Sequence, residues 1–131
     1  MRHTLLITPD PIDELALRAE RTLHATTGAV VVFQGVVRDA EAGARISALE
    51  YEAFDRMAEH QFGLIFERIA QKWPIESIRV VHRVGAVKAG EASLWVEVTA
   101  SHRREAFEAC AYLIDEMKQC VPIWKHPITA G

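Results

Sequence analysis

The chain has 131 residues, half of them hydrophobic and a quarter charged, with a formal net charge of −3 and a pI near 6.1. Such a length buries a core without disulfide or metal staples, and such a composition argues against disorder. The weakly acidic balance supplies no global positive field for nucleic acid, the longest apolar runs (GAVVVF) are strand-length, and the start MRHTLLITPD lacks the apolar stretch of a secretory leader, so a single cytosolic domain over 1–131 is expected.

In chain order, HTLLIT reads as a first strand. Asp10-Pro11 then opens a helix to about Thr26, with Pro11 in the first turn, and Gly28 ends the element. AVVVFQGVV is a strand buried on both faces, RDAEAGAR a polar loop starting at Arg38, and ISALEYEA a third strand. From Asp55 to Trp73 the residues Ala58, Phe62, Ile65, Phe66, Ile69 and Trp73 recur at helical spacing, and Pro74 stops the helix. SIRVVHRVGAV and EASLWVEVTA form an antiparallel hairpin around Gly90. Ser101 caps a helix from His102 to about Gln119, and VPIWKHPI is extended because Pro122 and Pro127 disfavour helix. The sum is an α+β fold, a mainly antiparallel sheet with three helices.

Two places break the pattern. Phe107, Ala111 and Ile114 share a narrow arc of the last helix, and Lys118 falls in the middle of it, where an apolar residue is expected. The competing reading is a frayed helix end at which Lys118 snorkels to solvent. At the other end of that helix, His102, Arg103 and Arg104 sit where the macrodipole is already positive, a conflict that a bound anion resolves and that pairing with Glu105 or Glu108 also resolves. Arg38 at the mouth of a strand is a third candidate, while His82 and Arg83 within VVHRVG read as structural hydrogen-bonding groups. Cys110 and Cys120 are too few and too far apart for a redox pair or zinc site and read as reduced, buried thiols. No nucleophile-elbow, zinc-protease, Walker or dinucleotide motif occurs. The residues by themselves point to a basic anion site.

The segments GAVVVFQGVVRDAEAG, LEYEAFDRMAE, VVHRVGAVKAGE, SHRREAFEA and MKQCVPIWK, in that order, resemble the large catalytic subunit of molybdopterin synthase from about Gly28 to Lys125. The resemblance implies an α/β-hammerhead-like fold and a cytoplasmic sulfurtransferase of molybdenum cofactor biosynthesis. Its substrate is cyclic pyranopterin monophosphate. Its sulfur comes as a thiocarboxylate on the C-terminal glycine of a small ubiquitin-like sulfur-carrier subunit, and the assembly is a homodimer of large subunits within a heterotetramer. No metal, nucleotide or other cofactor is implied, nor any nucleic acid or membrane. Matched position by position, Lys118 and Lys125 are the catalytic lysines. Val36, Val37, Arg38, His102 and Arg103 fall on substrate-binding positions, as do His126 and Pro127, where the side chains depart from the family's usual basic or acidic ones. Relatives continue past the second lysine with a turn and a further strand and helix. Six residues follow Lys125 here, which leads to the expectation of a more open pocket that leans on the partner's tail.

Two further readings stand beside this one. Cys120 as a persulfide-carrying nucleophile is tested by its replacement with Ser. A non-catalytic module that captures a ubiquitin-like tail or a small anion is tested by turnover.

Overall fold

A computed structural model of the chain describes residues 1–130. The described residues form eight strands and three helices in an α+β arrangement. β1 (Arg2–Thr8), β5 (Ile75–Arg83), β7 (Ala92–Ala100) and β2 (Ala29–Val36) make one sheet in the order β1-β5-β7-β2. Only the β1–β5 pair is parallel, and β7 lies antiparallel to both β5 and β2. The second sheet is built around β4 (Ala44–Ala53), which pairs antiparallel with β3 (Ala40–Glu41), β6 (Gly85–Lys88) and β8 (Ile123–Thr129).

Alternation along β7 decides which side of the first sheet is the core. Leu94, Val96 and Val98 turn to one face, joined by Ile78 and Val80 of β5, and two amphipathic helices cover them. α2 (Asp55–Lys72) contributes Ala58, Phe62, Ile65, Phe66 and Ile69, the stripe expected from its spacing. α3 (Arg103–Cys120) contributes Ala106, Ala109, Cys110, Leu113 and Met117. Each fully buried side chain of Val, Leu, Ile or Phe size is worth about 1.5–3 kcal/mol in burial. The opposite face carries polar groups that satisfy one another: Glu97 receives Arg79 Nε at 2.8 Å and Arg21 Nε at 2.6 Å, and the Ser77 and Thr99 hydroxyls share a bond.

Five expectations change. β2 is the edge strand of its sheet, with Val32, Phe33 and Val36 exposed, and not a strand buried on both faces. α1 spans only Glu14–Ala19, capped by Asp13, whose Oδ1 accepts from Ala16 N–H at 3.0 Å, so Pro11 lies before the helix and not in its first turn. The polar loop after Arg38 is a hairpin whose turn residues Ala42 and Gly43 have φ of 51° and 81°. The strand from Ser77 to Val87 is two strands in two sheets, divided at Val84 and Gly85, whose φ of 80° suits glycine. The cap of α3 is His102, without a side-chain capping bond, and Ser101 lies one residue outside.

Candidate active site

A cavity of about 460 Å³ opens where the two sheets meet the C-terminal end of α3. β2 runs into it with Val36, and the backbone that follows is pinned by Val37 N–H to the Glu91 carbonyl at 2.9 Å and Gly90 N–H to the Val37 carbonyl at 2.8 Å. Val37 is therefore buried, and Arg38 is delivered at the rim with its side chain in the cavity wall. Lys118 enters from the last turn of α3, where unpaired carbonyls favour a cation. Lys125 enters from β8, whose register sets it opposite Tyr51 of β4, another wall residue.

The core arc of α3 runs through Ala106, Ala109, Cys110, Leu113 and Met117, and Phe107 is 60% exposed. The arc expected from Phe107, Ala111 and Ile114 is thus the flank beside the core. Lys118 lies on that flank, exposed, with Ile114 and Met117 as cavity neighbours. An exposed Lys118 in the last turn is what the snorkelling reading expected, and the same position also puts it on the cavity border.

Three site residues lay outside the expected set. His82, read as structural, is buried but forms part of the cavity wall, with its ring edge-on to Tyr51 at a centroid distance of 5.3 Å. Its Nδ1 lies 2.7 Å from the Arg83 carbonyl, which can only accept, so Nδ1 carries the proton. Burial holds its pKa below the ordinary value, partly offset by that hydrogen bond, and the ring is neutral with its lone pair on Nε2. Tyr51 donates its hydroxyl to Ser93 Oγ at 3.1 Å, which fixes the phenol. Glu41, from the unforeseen hairpin, meets Lys125 Nζ at 3.2 Å. His82 had one signal in the sequence, a polar residue within a buried strand; Glu41 had none.

Other expected residues lie elsewhere. His102 and Arg103 border a second, open cavity at the N-terminus of α3, with Gly28 and Arg104. Neither arginine there has a carboxylate within ion-pair distance among the described residues. His126 and Pro127 are exposed on β8 outside both cavities, since alternation turns His126 away from Lys125, and His126 Nε2 meets Glu52 at 3.5 Å. Cys110 is buried, and burial raises its thiol pKa to about 11, whereas Cys120 is exposed, contrary to expectation, and lies outside the cavity wall. The described residues gather no cluster of three metal-ligating side chains, and none of their helices is long and apolar enough to cross a membrane.

The arrangement can hold anions. Arg38, Lys118 and Lys125 present three cations against one carboxylate, in a wall otherwise rich in apolar groups such as Phe33, Leu94 and Met117. All three side chains are exposed, so water screens them and their effect rests on their convergence at one cavity.

The sequence matches the family model described as MoaE protein over residues 7–120. It is 43% identical over 105 residues to a molybdopterin synthase catalytic subunit of Pyrococcus abyssi, covering 80% of this chain and 71% of the relative. It is 42% identical over 122 residues to that of Thermoplasma volcanium, covering 93% and 88%. The fold superposes on the crystal structure of molybdopterin synthase from Staphylococcus aureus with a TM-score of 0.86, at 37% identity, covering 96% of this chain and 92% of the other.

Proposed function

Because this chain belongs to the MoaE protein family, we propose that it is the catalytic subunit of a molybdopterin synthase and works as a sulfurtransferase. It takes sulfur from the thiocarboxylated C-terminus of a small ubiquitin-like subunit and transfers it to cyclic pyranopterin monophosphate, in two rounds, to form the dithiolene of molybdopterin. The observation that carries this reading is the convergence of Arg38, Lys118 and Lys125, from three separate elements, on one partly apolar cavity.

Each group has a task there. Arg38 offers a planar fork suited to phosphate. Lys118 and Lys125 stabilise the negative charge that develops on sulfur and on the carboxylate left behind by each transfer. A neutral His82 accepts a hydrogen bond without adding a fourth charge. The exposure of Cys120 outside this cavity favours a route without a protein persulfide. The reading places the protein in the cytosol, where the unpaired thiols of Cys110 and Cys120 remain reduced.

His102 and Arg103 require one more step. Arg103 and Lys118 stand at opposite ends of α3, separated by about 22 Å at 1.5 Å rise per residue, so one chain cannot bring both to the same small substrate. If both belong to the substrate site, they arrive from a second copy, in a homodimer that carries one small subunit on each protomer. A reconstitution with precursor, thiocarboxylated partner and this chain tests the whole reading. Product is expected, lost with Lys118→Ala and weakened at low precursor concentration with Arg38→Ala. Capture of the tail without product would make the protein a binding module instead.

A further inference from the structure

The carboxylate of Glu41 is the single acidic group in a wall with three cations, and it is spent on one of them. Lys125 Nζ lies 3.2 Å from Glu41 Oε1, whereas Arg38 and Lys118 have no carboxylate within ion-pair distance among the described residues. The pair is not needed to hold the hairpin in place. β3 is tied to β4 through its own ladder, Ile46 N–H reaches the Asp39 carbonyl at 2.9 Å, and β8 is bound to β4 along seven register pairs from Ile46 to Ala53. Nor is it sealed from solvent, since the side chains are 22% and 51% exposed, so its net worth is that of an ordinary screened pair and an incoming anion can break it.

We propose that Glu41 is a positioning residue that occupies Lys125 as an internal stand-in for the ligand and is displaced when a substrate oxyanion arrives. This rests on the active-site reading above and deepens it. A carboxylate already seated on Lys125 marks that ammonium as an oxyanion seat, and the same carboxylate raises the threshold an oxyanion must pass to take it. Two sources supply such a group in the proposed reaction, the carboxylate end of the partner's tail and the phosphate of the precursor. The cost of displacing Glu41 is the same for every anion, so the contact lowers the affinity of Lys125 for all of them by a similar factor.

The experiment titrates acetate and inorganic phosphate separately into the parent protein and its variants, following the backbone amides of the cavity wall by NMR. Glu41→Gln, nearly the same shape without the charge, is expected to bind at least one of the two anions up to about fivefold more tightly, the range open to an exposed ion pair. Tightening with acetate alone assigns Lys125 to the chain terminus, and with phosphate alone to the precursor. Glu41→Asp, which keeps the charge, should stay near the parent. Adding Glu41→Gln to Lys125→Ala should change nothing further, an outcome a merely structural role for Glu41 does not produce. Unchanged or weaker affinity for both anions in a Glu41→Gln protein with parental circular dichroism overturns the inference alone. If Lys125→Ala binds both anions as tightly as the parent, the active-site reading fails, and the inference with it.

Discussion

Lys118 stands at the negative end of an 18-residue helix with no carboxylate within ion-pair distance among the described residues, which makes it the most exposed test of the chemistry. Its side chain lies outside the core, so Lys118→Ala should leave the melting temperature within a few degrees of the parent while product formation falls about 10²–10³-fold, the cost of removing one preorganised charge. Lys125→Ala should also be impaired but less completely, because Glu41 already offsets part of that charge. Single-turnover rates with thiocarboxylated partner check both. His82 makes a different prediction. Its folded pKa is lowered, chiefly by burial, so the unfolded chain binds its proton more readily. Stability therefore holds above the unfolded value of about 6.5 and is lost as pH falls from there toward the folded pKa. Replacing it with Gln, which still offers a donor to the Arg83 carbonyl, should flatten the decline in melting temperature as pH falls below about 6.5. A decline as steep as the parent's would assign that acid sensitivity to another group. Both residues show what a sequence can reveal at this scale. Lys118 was visible as a charge out of period, but whether it faced core, cavity or water depended on a rotation of one residue that periodicity does not resolve, while the lone polar ring in VVHRVG gave no hint that its strand borders a cavity.

Among elements, the longest were the most legible, because α2 repeats its apolar stripe over four turns and ends at a proline. α1 shows why short ones are not. Arg79 Nη2 donates to the Leu17 carbonyl at 2.8 Å, so the acceptor that would receive the Arg21 N–H in a continuing helix is already engaged. Arg21 instead bonds through its own N–H to the Arg18 carbonyl and sends its side chain to Glu97. A tertiary contact across the sheet sits where this helix ends, and nothing local in the sequence announces it. The same contact predicts a stability effect. Glu97 is 1% exposed; burial works against its charge, but hydrogen bonds and charges from Arg79 and Arg21 outweigh this and hold its pKa below the ordinary value. Glu97→Ala leaves two partly buried guanidinium groups facing each other and should cost about 3–5 kcal/mol, measurable by urea unfolding. Because the folded pKa is depressed, the clamp's contribution is present above the unfolded value of about 4.3 and disappears as pH falls through the folded one. The parent should therefore lose stability more steeply than Glu97→Gln below about pH 4.5. Equal slopes would mean that this carboxylate stays charged in acid or carries little of the fold.

At the scale of the whole molecule, the position of the two basic ends of α3 becomes a question about assembly. Lys118 shares a cavity with Arg38 and Lys125, and Arg103 borders another at the far end of the same helix. A rigid helix fixes that separation, so a substrate site using both must be built between two chains. Two-fold symmetry then gives two equivalent sites per dimer, each taking its lysines from one protomer and its His102-Arg103 pair from the other. Mixing tests this directly. Lys118→Ala and Arg103→Ala are each prepared alone, unfolded and refolded together so that protomers exchange, and assayed at a precursor concentration low enough for the Arg103 variant to show its binding defect. Random pairing makes half of the dimers mixed, and each mixed dimer holds one site with both residues intact and one site with neither. Activity should recover to about one quarter of the parent's, whereas each variant refolded alone stays low. If all of these residues acted within one chain, no mixed dimer would contain an intact site, and the mixture would show only the average of its parts.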